Sequence, residues 1–406
     1  MNNQYSRKAA VLVSLFILVV NAISIHAADN WYVLLYNEIQ HELVQVNLLD
    51  SSVQSFELGV EPTTRVSGDS MGFSADGQRV AFCAETLEPG VSVAQTTLVV
   101  RDVQSMNNLA QVDLGSTLGC HISNAAFSPD HSRVAVAIVR NPQDVPAADG
   151  RIWQLLVVDI ASGQIVYDLN PTLAAVVNSD LPVDQLILAE VHDFDGSNVT
   201  FAGMPFGVGG IVYGDVYRWS LDYGSLERLT GGPHSNTSLF DTLPDVGETV
   251  WLDEESSLAT IDTLPNPMGR FNVVRMSDVS GDTSIIYHAE NAVLANPTYV
   301  AGGEQLALML HMPMSDATVP QNQWIALNRG GAVTQLTSGD PILDLVDAPG
   351  GYITLTANSN MHTLSHHVLG NETDNTLWQS EFDGWQIVWS SQYPAPMDLA
   401  PFVSIG

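Results

Sequence analysis

Lysine is almost absent from this sequence: Lys8 is the only one in 406 residues, and with 12 arginines it faces 45 acidic side chains, for a formal net charge of −32. So few cations argue against nucleic acid and anionic membrane surfaces as partners, since both need clustered Lys and Arg. Charge of either sign is scarce as well, 14% against 45% hydrophobic residues, which excludes a disordered chain and leaves ample apolar surface for a core. No cysteine stands near the N-terminus, which argues against a lipoprotein anchor. Helical periodicity is nearly missing, and no apolar run of membrane-spanning length follows the first 27 residues.

Those first residues form a targeting segment. Arg7 and Lys8 precede an apolar run from Ala9 to Ile25, and Ala27 supplies a small residue just before the composition turns polar at Asp29. This layout predicts a signal peptide over 1–27, cleaved after Ala27, and a secreted or periplasmic protein. An uncleaved anchor is the competing reading. Residues 28–406 are then expected to form one domain without an integral membrane span.

A phrase recurs through that domain. Residues 73–82 read Phe-Ser-Ala-Asp-Gly-Gln-Arg-Val-Ala-Phe, and residues 127–136 read Phe-Ser-Pro-Asp-His-Ser-Arg-Val-Ala-Val. Weaker copies surround Gly196, Gly247, Gly303 and Gly351, so the turn positions, with Gly77 and His131, recur every 48 to 65 residues. The phrase is an apolar strand, a tight turn whose residues tolerate positive φ, and a returning apolar strand. A third strand follows each copy, at 95–103, 152–160, 214–221, 271–276, 323–328 and 361–368, and often a fourth. Three strands over 31–58 lack an inner partner, and 385–390 is a strand left over at the far end. The prediction is an all-β propeller of seven four-stranded blades, one of them completed by pairing of the N- and C-terminal segments.

The Phe-Ser-x-Asp-Gly-x-x-Val-Ala-Phe phrase resembles the WD40-like (PD40) repeat of TolB-type β-propellers. Copies 73–82 and 127–136 match well, though His131 replaces the turn glycine in the second; the others match in pattern only. The α/β domain that precedes the propeller in TolB is not expected here, where strands begin soon after the leader. The resemblance implies an exported propeller serving as an interaction platform and, by itself, no catalysis.

Candidate chemistry is sparse. Gly68-Asp69-Ser70-Met71-Gly72 fits a nucleophile elbow, but a hairpin turn follows where a helix is needed. Cys83 and Cys120 are expected to form a disulfide, the former ending the second strand of one blade and the latter preceding the inner strand of the next. His362, His366 and His367 read as exposed strand histidines rather than metal ligands, and no metal site is expected. No cofactor is expected; Asp193, Asp195, Asp278 and Asp282 lie near turns and could ligate calcium, yet none follows a spaced calcium loop.

Function is expected at the long loops of one face, 85–92, 141–150, 204–213, 253–268 and 311–322. Met204, Phe206, Met268, Met312 and Met314 give them apolar, proline-braced surfaces suited to contact. The leading expectation is a non-enzymatic propeller binding a protein, peptide or glycan there. The alternative is a hydrolase or lyase acting on carbohydrate or a lactone, with Asp69, His121, His192 and His234 near the channel mouth.

Overall fold

The computed structural model describes residues 31–391 except 62, 69, 88–93, 141–152, 170–174, 178–185, 206–214, 229–234, 244–247, 256–269, 278–282, 291–292, 312–321, 337–339, 359–360 and 372–373. Among them the chain is strand after strand, with one 3-10 turn at Asn124–Ala126 and no helix long and apolar enough to cross a membrane.

β1 (Tyr32–Asn37), β2 (Glu42–Asn47) and β3 (Val53–Glu57) form an antiparallel meander. β4 (Thr64–Arg65) and β5 (Met71–Phe73) both pair with β6 (Arg79–Leu87), which leads through β7 (Ala94–Asp102) to β8 (Asn108–His121). The first part of β8 is the partner of β7, and its last residues, from Thr117, pair instead with β9 (Arg133–Arg140), followed by β10 (Trp153–Asp159) and β11 (Gln164–Asp168). After a short β12 (Ala175–Val177) comes the set β13 (Leu186–Phe194), β14 (Asn198–Pro205), β15 (Asp215–Ser220) and β16 (Ser225–Arg228), with β12 parallel to β16. The next sheets are β17 (Ser235–Leu243), β18 (Glu248–Glu255), β19 (Arg270–Ser277), β20 (Thr283–Glu290), and then β21 (Val293–Val300), β22 (Gln305–His311), β23 (Asn322–Asn328), β24 (Val333–Leu336). The last holds β25 (Ile342–Ala348), β26 (Gly351–Asn358), β27 (Met361–Val368) and β28 (Asn375–Ser380). β29 (Trp385–Ser390) then returns to pair antiparallel with β1, from Val33↔Ser390 to Asn37↔Trp385.

Burial explains why the central strands read as unbroken apolar runs. Val33, Leu34, Leu35 and Tyr36 are all inaccessible to solvent, because β1 is covered on both faces. Alternate side chains go to different cores: Leu34 and Tyr36 pack with Phe73, Val80 and Phe82, while Val33 and Leu35 pack with Ile353, Leu355 and Leu364. β6 divides the same way, Val80 and Phe82 to one side, Ala81 and Cys83 to the other. Farther on, Leu306 and Leu308 of β22 part from Ala307. Sheets therefore stack face to face, each hydrophobic layer shared by two of them. Every side chain of Leu or Phe size so buried contributes roughly 1.5–3 kcal/mol.

The turn phrase folds as its chemistry demands. Ser74 donates its hydroxyl to Asp76 (2.6 Å) and accepts the Arg79 amide (2.9 Å), and Asp76 accepts the Gln78 amide (3.1 Å). Ser128, Asp130, Ser132 and Arg133 repeat the pattern at 2.7, 3.0 and 3.1 Å. Gly77 and His131 occupy the same left-handed position, at φ 65° and 55°. In the last copy the positive φ belongs to Gly350, not Gly351. Gly351 opens β26 instead, where a Cβ would lie 1.8 Å from the carbonyl oxygen of His367.

Cys83 and Cys120 are joined in a disulfide. Cys83 is buried in the middle of β6 rather than at its end, and Cys120 is the second-last residue of β8, in the part that pairs with β9. The bond therefore ties two stacked strand sets through their shared core.

Candidate functional site

The first strands of the sets meet one another. β29 packs on β5 and β25, β25 on β21, β21 on β17, β17 on β13, and β13 on the 3-10 turn, which in turn packs on β5. Hydrogen bonds cross these meetings. Asn124 accepts the Phe73 amide (2.9 Å) and donates to the Val388 carbonyl (2.8 Å), Ser123 donates to the Val191 carbonyl, and Asp347 accepts the Gly302 amide (3.2 Å).

Most of these inner strands carry a bulge against their neighbour. Register slips at Leu118 in β8, His192 in β13, Leu343 in β25 and Val388 in β29. A bulge bends the strand and re-aims the extra side chain, so Leu118 and Leu343, 53% and 48% exposed, remain in solvent although Thr117 is buried and Ile342 packs against core. His192 is likewise the extra residue of its bulge, but here protein closes over the ring. Burial lowers its imidazole to about 3, which keeps it neutral.

Next to Leu343, Asp344 accepts the Leu345 amide (2.8 Å) and the amide of Ile387 on β29. Burial raises its carboxyl to about 7 against the pull of those two amides. As a residue Asp344 is half-buried, with protein packed closely around its carboxyl. The bulged strands β13 and β25 thus carry, each on its own sheet, a neutral histidine and a carboxyl that still holds its proton near neutrality. Such a carboxyl can donate a hydrogen bond or a proton at a pH where an exposed aspartate cannot.

The residues singled out from sequence fare unevenly. Phe206, Met268, Met312 and Met314 lie outside the described residues, as do Asp69, His234, Asp278 and Asp282; Met204 falls within β14, with nothing described of its side chain. His121 ends β8. Ser70 is buried, its hydroxyl given to the Ser67 carbonyl (2.8 Å), which is no arrangement for a nucleophile. The Asp195 carboxylate is taken up by the Ser197 and Asn198 amides. Among the described residues no group of three or more His, Cys, Asp or Glu is gathered to hold a metal ion.

The β27 histidines require a correction. His362 and His367 are buried, not exposed, because β27 is an interior strand of its sheet. His367 bonds Thr354 through Nε2 (2.7 Å) and Asp374 through Nδ1 (2.6 Å), a hydroxyl–imidazole–carboxylate chain. The Thr354 oxygen has no solvent access, so the chain fastens β26 to the β27–β28 turn and attacks nothing. Sequence reasoning names His367 beside His362 and His366 but assigns it no partner, since Asp374 follows in a turn with no motif.

No family model matches the chain, and no curated protein does. Among solved structures it is similar to a prolyl endopeptidase, with a TM-score of 0.57 and 11% identity over 90% of this chain and 52% of that one. The β-propeller domain of the Trilobed protease from Pyrococcus furiosus gives 0.52 and 11%, over 84% of this chain and 88% of that domain. The acylaminoacyl peptidase of Pyrococcus horikoshii gives 0.52 and 14%, over 84% and 48%. This chain therefore spans about half the length of the two whole peptidases. Identities this low show the fold alone. The resemblance to the TolB type rests on the repeat phrase, and what the comparisons establish is coarser: the chain has a β-propeller fold.

Proposed function

We propose that the chain is an exported propeller of seven four-stranded blades that takes hold of peptides at its channel mouth. Seven sets follow if β8 is divided between its two partners and β29 completes the β1–β3 meander, and the circuit of inner-strand contacts supports a closed ring. The disulfide supports export after cleavage at Ala27, with residues 28–406 as one domain. The observation that carries the peptide reading is the similarity over most of this chain to peptidases and to a peptidase propeller domain. The long loops over 85–92, 141–150, 204–213, 253–268 and 311–322, with Met204, Phe206, Met268, Met312 and Met314, would supply the grip.

A second reading, a hydrolase or lyase with its site at that mouth, is favoured by the same peptidases and by Asp344, which keeps a proton near neutral pH on an inner strand. One experiment separates the two. The purified protein is incubated with a defined peptide mixture, and retained and new species are read by mass spectrometry. Retention of intact peptides supports binding; new termini that vanish in Asp344→Asn support the enzyme; neither retention nor cleavage overturns both.

A further inference from the structure

The described residues also form a groove of about 790 Å³ between sheet-edge strands β3 and β28. One wall is the face of the β2–β3 pair and the other is β28 with the start of β29, so residues some 340 positions apart in sequence meet only where the two ends of the chain pair.

Its chemistry is specific. Glu42 and Glu57 are directly opposed across β2 and β3, on the face that lines the groove. Opposed side chains in such a pair stand about 4.5–5.5 Å apart at Cβ, where like charges oppose folding. Among the described residues neither carboxylate has an ion pair, and no lysine or arginine lines the groove. On the facing wall the half-buried Trp378 stands edge to face with the buried Trp385 at 4.9 Å, and the Trp385 indole donates to the Ser380 hydroxyl (3.1 Å), which holds the pair in place. Phe382 and Ile39 at the rim are 61% and 72% exposed. The one imidazole of the lining, His41, is bonded to the Tyr36 hydroxyl (2.9 Å). A carboxylate pair facing the half-buried Trp378 and the exposed Phe382 ring complements a cationic head on an apolar stem, through charge and cation–π attraction together. We propose that this groove docks a peptide segment in which arginine or lysine alternates with apolar residues. The inference does not depend on the channel-mouth reading, since no inner-strand residue other than Trp385 lines the groove.

The test is calorimetric titration at 150 mM salt, at about an 8 Å Debye length, with acetyl-(Leu-Arg)3-amide, the matched (Leu-Gln)3 peptide and cellohexaose. The expected result is saturable binding of the arginine peptide alone. Glu42→Gln with Glu57→Gln should weaken it at least tenfold while leaving the melting temperature unchanged or higher, and Phe382→Ala should weaken it several-fold. Asp222→Asn with Glu304→Gln, which removes equal charge elsewhere, should change nothing. Equal weakening by that distant pair would reduce the attraction to net charge and overturn the proposal. So would equal binding of the glutamine peptide, or binding of the saccharide in place of the peptide.

Discussion

The turns at 74–79 and 128–133 make the same hydrogen bonds, yet they place different residues at their tightest point. At the first, a Cβ on Gly77 would lie 2.6 Å from the Tyr32 hydroxyl and 2.8 Å from the Trp389 ring, so glycine is demanded by the next sheet as well as by its φ of 65°. At the second, His131 accepts the left-handed conformation and places Nδ1 3.2 Å from the Asp76 carboxylate, while its carbonyl receives Arg79. The difference teaches that Ser and Asp build the turn, whereas the residue at its apex is chosen by whatever neighbouring strand set it meets. What reads as a degenerate repeat is a contact between repeats.

Three changes would break or sharpen that comparison. The disulfide spans the two regions, so replacing Cys83 and Cys120 by alanine should have the largest effect, a loss of about 4 kcal/mol on the chain-entropy account of a loop of this length. Urea unfolding of both forms measures it, and an unchanged midpoint would mean that the shared core alone joins the two sets. Next, Gly77→Ala should cost about 1–3 kcal/mol from strain and collision, whereas His131→Gly should stay within about 0.5 kcal/mol, the relieved backbone strain offsetting a surface ion pair. Equal effects at both positions would show that φ, not the neighbouring sheet, sets the apex residue.

A pH-dependent effect belongs to Asp344, where the inner strands can be compared with the turns. Turn carboxylates such as Asp130 are lowered, to about 2, by the Ser128 hydroxyl and by the amide and hydroxyl of Ser132; Asp344 is raised to about 7 by burial. A carboxyl with a raised folded value favours folding least where the unfolded chain is ionised, so stability should fall as pH rises from about 4 to 7. Asp344→Asn should remove that slope, melting roughly 2–4 °C above the parent at pH 8 and no higher at pH 4. Parallel melting curves at both pH values would contradict the assignment.

Much of the fold was legible because two periodicities agree. The strand at 361–368 and the one at 385–390 were readable to the residue, since apolar alternation and turn chemistry delimit them together. The bulges at His192 and Leu343 were not, because a single extra residue leaves no compositional mark and is imposed by strand packing. Asp344 itself is an unremarkable aspartate in sequence, and its environment comes from β29, distant in the chain. The groove was hidden for the same reason: neither Glu42 nor Trp378 belongs to a motif, and only the β1–β29 pairing sets their walls face to face.

The most direct test of the central claim is hydrogen exchange, followed by mass spectrometry, of the protein with the peptides it retains. The account expects protection at the inner strands β13, β25 and β29 and in the loops over 85–92, 141–150, 204–213, 253–268 and 311–322. Protection confined to other surfaces, or none at saturating peptide, would contradict it.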